Sequence, residues 1–454
     1  MQTMELRNKD VLVLGLGRSG MAAASLLQRD GARVVVRDEA DGQQLEERAD
    51  RLRELGVRVE LGNHFDLSAH FDLAVLSPGI APARSLVTDL LQKQTPVLSE
   101  LELAYRFCLC PVIAVTGTNG KTTTTELIDA MLQGCGRRSV AAGNNGNAFS
   151  DAVESTAGLD ALVLETSSFQ LEKIEQFRPD IAVWLNLTPD HIDRHGSMEA
   201  YAKAKARIFE NQTREDFAIL SASALQWAKK IGVKIKARII TISAYGQEAD
   251  LRVDWTDGQT IWSRLPECNG ILMKLSEANL RGLHNAENIL ATFAAGLAMK
   301  LPVSEIREAI FSYCPEPHRC EIVGVKDGVT FINDSKATNG DAVEKALRAL
   351  TGPVVLIAGG RDKGLDFSTI KEVVREKVKL AVIIGETQDK ICEAWARSAM
   401  CVRAESMRQA VKMAASAARA GDTVLLSPAC ASFDMFENYE HRGDEFKQEV
   451  LARL

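Results

Sequence analysis

Residues 111–127 read PVIAVTGTNGKTTTTEL, and these residue types in this order can hold a phosphate chain. A short apolar run, Val112 to Val115, gives way to a loop of glycines, hydroxyls and one lysine, and then to residues able to carry a helix. Glycines let backbone N–H groups converge on phosphate oxygens because no Cβ stands in the way. Lys121 places a point charge against the β- and γ-phosphates, Thr122 offers a hydroxyl to Mg²⁺, and the N-terminus of the helix favours the anion. The general phosphate loop would have a glycine five residues before Gly120, where Val115 stands, so the pattern is the shorter T-G-T-N-G-K-T.

Reactive side chains recur just past other apolar runs. Ala161 to Glu165 is followed by Thr-Ser-Ser-Phe-Gln170, and Ile181 to Asn186 by Leu-Thr-Pro-Asp-His191-Ile-Asp-Arg-His195. Glu165 suits Mg²⁺, a hard cation that takes carboxylate, hydroxyl and water oxygens beside phosphates. His191 reads two ways, since imidazole suits softer metals and a histidine beside a Pro-Asp turn is also an ordinary loop residue. Lys205 lies on the amphipathic stretch Tyr201 to Phe209, where a lysine is by default solvated. Gly143-Asn144-Asn145-Gly146 forms another loop, and Asn285 opens an alanine-rich helix through Ala298 as a plain N-cap would.

The first hundred residues carry a second nucleotide pattern. The strand Val11 to Leu14 runs into Gly15-Leu-Gly17-Arg18-Ser19-Gly20 and a helical stretch, and the strand Arg33 to Arg37 ends at Asp38. That spacing places an acid where a dinucleotide-binding unit holds its ribose. Alone it admits an NAD-dependent dehydrogenase, but a redox enzyme has no need of the phosphate loop a hundred residues on. Leu73 to Leu76 ends in Ser77-Pro78-Gly79, either a ligand-facing strand end or a mere turn.

Past a linker at Pro315-Glu-Pro317-His318-Arg319, strands at Thr330 to Ile332, Val354 to Ala358, Ala381 to Ile384 and Thr423 to Leu426 lead into polar segments. Lys336, Thr338, Lys363 and Ser432 there suit a small anionic substrate, since cations and hydroxyls complement carboxylates.

The elements that must position these groups are strands alternating with helices, which predicts α/β domains built on mostly parallel sheets. With 454 residues, about three domains are expected, at 1–100, 101–314 and 315–454. A formal charge of −7 gives no basic footprint for nucleic acid, so a nucleotide must be held by local loops and single lysines. The N-terminus lacks an apolar segment and no long apolar run follows, so neither a signal peptide nor a membrane span is expected and the cytoplasm is the expected location. Nine cysteines, without paired CxxC spacing, predict reduced thiols and no structural zinc.

GTNGKTT, Glu165-Thr-Ser-Ser-Phe-Gln170, Asn186-Leu-Thr-Pro-Asp-His-Ile-Asp-Arg194 and Lys205-Ala-Arg-Ile together resemble the central domain of the Mur ligase family, within the superfamily that includes folylpolyglutamate synthetase. N-D-S-K-A-T-N from Asn333, G-G-R-D-K ending at Lys363 and L-L-S-P-A-C-A-S-F-D from Leu425 extend the resemblance through the last third. It implies three domains: Rossmann-like, phosphate-loop and again Rossmann-like. It further implies ATP-dependent addition of D-glutamate to UDP-N-acetylmuramoyl-L-alanine through an acyl phosphate, by a monomer.

By residue, the resemblance assigns Thr122 and Glu165 to one Mg²⁺, and His191 with a carbamylated Lys205 to a second. It assigns Thr118, Asn119, Gly120, Lys121, Thr122, Thr123, Asn285, Asn288, Arg319, Asp334 and Lys336 to ATP. Arg18, Ser19, Asp38, Ser77 and Gly79 would hold the uridine diphosphate, with Asn144, Ser167 and Gln170 nearer the muramoyl-alanine end. Thr338, Lys363, Ser432 and the backbone of Tyr439 would hold D-glutamate. Lys121, Glu165, His191, Lys205 and Lys363 would act on the reacting groups, with hinges near 100–111 and 315–319 for domain closure. Two alternatives remain at this point: another amide ligase of the superfamily, and an NTP-driven switch that hydrolyses ATP without an amino acid.

Overall fold

The computed structural model describes residues 6–453 apart from 63–64, 66–68, 81–84, 145–146, 258, 281–282, 314–316, 351 and 363. They fold into two compact units, Met1–Tyr313 and Cys314–Leu454. Three mostly parallel sheets make this a three-domain α/β architecture, with the first two sheets inside the first unit. Among the described residues no helix is long and apolar enough to cross a membrane.

The first sheet contains β1 (Asp10–Leu14), β2 (Arg33–Asp38), β3 (Arg58–Leu61), β4 (Leu73–Leu76) and β5 (Val97–Ser99). Its order is β3-β2-β1-β4-β5 and every pair is parallel. The sequences VLVL in β1 and LAVL in β4 are apolar throughout because helices cover both faces. The chain leaves β1 toward β2 and β4 toward β5, so the order reverses between β1 and β4. Such a reversal opens a crevice at the carboxyl ends of the two strands.

The second sheet contains β6 (Val112–Thr116), β7 (Ser139–Gly143), β8 (Ala161–Glu165), β9 (Ile181–Trp184), β10 (Phe217–Ser221), β11 (Arg238–Ser243), β12 (Leu251–Asp254), β13 (Thr260–Ser263) and β14 (Gly270–Lys274). Its order is β14-β13-β12-β11-β10-β9-β6-β8-β7, parallel from β7 to β12 and antiparallel at β13 and β14. Here the reversal lies between β6 and β9, which sets the loop after β6 against the loop after β9. Helix Leu283–Ala298 packs on helix Lys121–Gly134 and on this sheet. Its alanines permit that close approach, and Leu290 and Phe293 enter the core.

One hydrophobic cluster runs through both sheets, from Val11 and Val75 to Leu164 and Trp184. That shared core joins them in a single unit. The stretch expected as a hinge at 100–111 is largely a packed helix, Glu100–Phe107, capped by Ser99. Glu102 on it is 0% exposed. It accepts the N–H groups of Glu175 at 2.8 Å, Gln176 at 3.1 Å and Phe177 at 2.9 Å, and Arg106 reaches it at 2.9 Å.

The second unit carries β15 (Glu321–Lys326), β16 (Val329–Asn333), β17 (Val354–Gly359), β18 (Val378–Ile384), β19 (Met400–Arg403) and β20 (Thr423–Leu426). The order is β15-β16-β20-β17-β18-β19, parallel except for the β15/β16 hairpin. The loops after β16, β20 and β17 therefore stand side by side at one end of the sheet.

Glu102→Ala leaves the buried N–H of Phe177 and the part-buried N–H groups of Glu175 and Gln176 without this acceptor and unpairs Arg106, and should destabilise the first unit by about 3 kcal/mol. Glu102→Gln, which keeps one acceptor oxygen, should lose less. Urea denaturation followed by tryptophan fluorescence measures both, and an unchanged midpoint for Glu102→Ala would show that the 175–177 turn is held by other contacts.

Candidate active site

The loop after β6 is shaped by two glycines in conformations that other residues avoid, Gly117 at φ 156° and Gly120 at φ 81°. A Cβ on Gly120 would lie 2.5 Å from Asn288 Oδ1, so the helix Leu283–Ala298 closes one side of the loop. The loop after β9 closes another through Asn186. Its Oδ1 accepts the N–H of Thr118 at 3.1 Å and of Asn119 at 2.8 Å, and its Nδ2 donates to the Asn119 carbonyl at 3.1 Å. The Thr118 hydroxyl is also engaged, accepting the Thr188 N–H at 3.1 Å and lying 3.3 Å from the Tyr201 hydroxyl. The N–H groups of Thr118 and Asn119 are thus taken up by the loop after β9. The groups left for an anion are the first-turn N–H groups of helix Lys121–Gly134, which have no acceptor within the helix. Lys121 donates to the Thr118 carbonyl at 2.8 Å, Thr124 to Asn288 Oδ1 at 3.1 Å, and Asn288 to Asn285 Oδ1 at 3.1 Å.

Glu165 ends β8 opposite Val115 in register, beside the loop. One of its oxygens accepts from Asn144 Nδ2 at 3.0 Å, whereas the buried Oε2 has no partner among the described residues. An orphaned buried carboxylate oxygen near a threonine hydroxyl and a phosphate cradle fits Mg²⁺. This ion takes one or two carboxylates with phosphate and water rather than a full protein cage. The described residues hold no cluster of three or more His, Cys, Asp or Glu that could hold a metal ion.

Lys205 is 1% exposed and donates to the Gly117 carbonyl at 2.8 Å, with its Nζ 4.6 Å from the centre of the Tyr201 ring. Burial, helped by the charge of Lys121, pushes its ammonium well below the ordinary lysine range, against Asp190 and Glu165. The amphipathic stretch therefore turns this lysine inward. His191 has a left-handed backbone, φ 52°, and its side chain is 43% exposed beside Asp190 Oδ2 at 3.3 Å. It shares the Tyr201 ring as a neighbour with Lys205.

At the reversal of the first sheet, Arg18 and Ser19 begin helix Arg18–Arg29, and Gly79 is exposed next to the buried Ser77. Asp38 accepts the N–H of Leu16 at 2.7 Å with one oxygen, which braces the glycine loop, and the N–H of Ala40 at 3.0 Å with the other, which closes its own turn after β2. Ser77 Oγ donates to the Gly15 carbonyl at 3.0 Å, and a Cβ on Gly20 would meet that carbonyl oxygen at 1.8 Å. Ser167 and Gln170, expected near the substrate, form a capping box for the short helix Ser168–Leu171.

In the second unit the Asp334 carboxylate is buried, accepting from Ser427 Oγ at 2.7 Å and from the Cys320 N–H at 3.1 Å. Lys336 is exposed on the same loop, Thr338 is half-buried, and Ser432 is buried on the loop after β20. The Tyr439 carbonyl accepts from Ser335 Oγ at 2.8 Å. Arg319 is half-buried, and Lys363 lies outside the described residues.

Several residues that shape these loops escaped the sequence reading. Asn186, Thr188 and Tyr201 brace the phosphate loop, and their only sequence signal was a place just past a strand or on the Lys205 helix. Arg442 is wholly buried and ties Ser335 to the Cys430 carbonyl, at 2.9 Å and 3.0 Å. His195 stacks between Phe169 and Tyr201 and lies 3.0 Å from Ser168 Oγ, with burial lowering its pKa.

Three family models match the chain: the Mur ligase MurD-like N-terminal domain at residues 9–99, the Mur ligase middle domain at 115–296 and the Mur ligase glutamate ligase domain at 318–430. The UDP-N-acetylmuramoylalanine--D-glutamate ligase of Koribacter versatilis is 42% identical, over 98% of each chain. The protein of the same name from Pelotomaculum thermopropionicum is 41% identical over 99% of this chain and 98% of its own. Among solved structures, the MurF ligase from Thermotoga maritima in complex with ADP covers 100% of this chain and 97% of its own, with TM-score 0.53 and 17% identity, which speaks to fold.

Burial pushes the Asp334 carboxyl from 3.8 up to about 6. The group is protonated in both states below its unfolded value, and ionises first in the unfolded chain as pH rises. Its contribution to stability is thus full below about pH 4 and is lost as pH rises through about 6, by roughly 3 kcal/mol in all. Urea denaturation of wild type and Asp334→Asn between pH 4 and 7 should show a steeper fall for wild type, and parallel curves would contradict the assignment.

Proposed function

The chain belongs to the Mur ligase family, and we propose that it joins D-glutamate to UDP-N-acetylmuramoyl-L-alanine at the expense of ATP, a step of peptidoglycan precursor synthesis in the cytoplasm. What carries this reading is that identity of about 42% to a protein of that name runs across all three sheets, so the parts for nucleotide sugar, ATP and amino acid come together in one chain.

The chemistry requires a carboxylate to become an electrophile. Its oxygen takes the γ-phosphoryl group, and the amine of D-glutamate then attacks the acyl carbon as phosphate leaves with the C–O bond electrons and the amine loses a proton. The first step brings two anions together, and positioning with charge neutralisation is what a protein can contribute. Lys121 and the first-turn N–H groups of its helix hold the phosphates in line. Asn144 fixes one oxygen of Glu165 and leaves the other without a partner among the described residues. Thr122 and Glu165 would hold one Mg²⁺, which when bound offsets phosphate charge, and His191 with Lys205 would hold a second.

Lys205 contributes to that second site as a carbamate. Its buried environment disfavours the ammonium, and the neutral amine is the form that adds to CO₂. Addition and loss of a proton turn a buried cation into a carboxylate-like anion. Arg18, Ser19, Asp38, Ser77 and Gly79 surround the crevice of the first sheet, where the glycine-loop N–H groups suit a diphosphate. In the second unit Thr338, Ser432 and the backbone at Tyr439, with Lys363, are the candidates for the two carboxylates of D-glutamate.

Phosphate release should require ATP, Mg²⁺, UDP-N-acetylmuramoyl-L-alanine and D-glutamate together. Release with a diamino acid instead would move the chain to another ligase of the family, and release without any amino acid would make it a switch. Separately, Lys205→Ala should lower turnover at least 100-fold, with partial recovery in added acetate or formate. Undiminished turnover would remove Lys205 from the second metal site.

A further inference from the structure

The loop after β4, at the crevice of the first sheet, is tied to the second sheet by a side chain that the proposed chemistry leaves unused. Ile80 donates its N–H to the Ser77 carbonyl at 3.0 Å, so Ser77-Pro78-Gly79-Ile80 is a β-turn with Pro78 and Gly79 at its centre. Proline followed by glycine admits two such turns, types I and II, which differ by a half-rotation of the peptide plane between the two central residues. Type II needs Gly79 in the left-handed region. Its backbone does not lie there, which leaves type I.

Arg194 selects between the two. It stands on the one-turn helix Ile192–His195 after β9, and its own N–H donates to the His191 carbonyl at 3.2 Å. Its Nη1 donates to the Pro78 carbonyl at 3.0 Å, joining residues 116 positions apart. The rest of the guanidinium is fixed, with Nη2 3.1 Å from Glu172 Oε2 and Cζ 3.8 Å from the centre of the Phe169 ring. Planar, ion-paired and stacked, the group meets the carbonyl from one direction. In a trans peptide the C=O and N–H point opposite ways, so a Pro78 carbonyl held toward Arg194 turns the Gly79 N–H away from it. Type II would swing that carbonyl off and leave the half-buried guanidinium short of an acceptor. Joining the two sheets does not call for this bond, because one apolar cluster already runs through both.

We propose that Arg194 is a positioning residue for the nucleotide sugar: by holding the Pro78 carbonyl it keeps the turn at 77–80 in the type I form, which presents the Gly79 N–H to the diphosphate. The inference rests on the reading of this crevice as the nucleotide-sugar site, and Arg194 acts through the turn without touching the ligand.

The test uses the full chain with Arg194→Met, Gly79→Ala and the Gly79→Ala/Arg194→Met pair. Calorimetry measures binding of UDP-N-acetylmuramoyl-L-alanine, of UDP alone and of ADP with Mg²⁺, with thermal melting as a check on folding. Arg194→Met should bind both uridine ligands about tenfold more weakly, the scale of one lost hydrogen bond to a charged group. ADP should stay within about twofold of wild type, whereas loss of a merely structural arginine would weaken it as well. Alanine fits at position 79, since a Cβ there meets nothing within 4 Å, but it disfavours the left-handed backbone that type II needs. Relative to Gly79→Ala, the pair should therefore lose only about threefold, because the turn no longer has the other form to adopt.

Unchanged UDP affinity in Arg194→Met, the same loss in both backgrounds, a loss seen with UDP-N-acetylmuramoyl-L-alanine but not with UDP, or an equal loss of ADP would each overturn the proposal. If Arg194→Met does not fold, Arg194→Gln makes the same comparison with a shorter polar chain. Failure of the ligase reading shows in wild type, as no binding of the nucleotide sugar and no glutamate-dependent phosphate release. Failure of this inference shows as intact wild-type ligation with a Met variant that binds UDP normally.

Discussion

The central site depends on one constraint: two N–H groups of the phosphate loop are already bound to the Asn186 amide. Because Thr118 and Asn119 point their N–H groups at the end of β9, the loop can present only its later part, the turn at Gly120 and the start of the helix, to a ligand. The same bracket brings Leu185 within 3.1 Å of where a Gly117 Cβ would be, so the loop is pressed from the β9 side as well as from Asn288. Gly117 then turns its carbonyl toward Lys205. Glycine, asparagine and buried lysine are consequences of one another rather than three separate features.

The electrostatics of that corner run against local stability. Among the described residues, Lys205 is held by one backbone carbonyl and an aromatic face, and Glu165 has one oxygen unpaired. An unsatisfied buried polar group costs about 1–3 kcal/mol, and buried charges more, so this arrangement persists only because the surrounding sheet is rigid. The apolar strands β6, β8 and β9, buried on both faces and covered by two helices, supply that rigidity. Polar frustration at the strand ends and a dry core behind them are parts of one design, common where charge must be matched by substrate rather than by protein.

Much of this was legible in the sequence, and what was not has a physical cause. Apolar runs ending in glycine, hydroxyl or acid residues placed the strands β1, β6, β8, β16 and β20 and their loops, because buried parallel strands must be apolar while their ends must be polar. The inward turn of Lys205 was not legible, since a lysine on an amphipathic stretch can face either way and only tertiary packing decides. Asn186 and Arg442 were missed for the converse reason: their hydrogen bonds join residues some 65 or 100 positions apart, and no local pattern marks them. The helix Glu100–Phe107 read as a hinge because a domain boundary was expected there, whereas Glu102 and the shared apolar cluster bind the first two sheets together.

The three sheets solve the same problem with different chemistry. Where strand order reverses, two loops that are distant in sequence must be held side by side at the carboxyl ends. Each sheet does it with buried or half-buried polar side chains bonded across neighbouring loops. The first uses Asp38 and Ser77 on the glycine loop, the second Asn186 on the phosphate loop, the third Arg442 and Asp334 across the loops after β16 and β20. A hydrophobic contact could hold these loops as firmly, but would leave their backbone N–H and carbonyl groups without partners at a place that must stay open to polar ligands. A polar brace satisfies part of that backbone and fixes the direction of the rest. The residues that bind ligand are therefore set by neighbours that need not touch it, and substitutions at the braces should act on binding more than their distance from any substrate suggests.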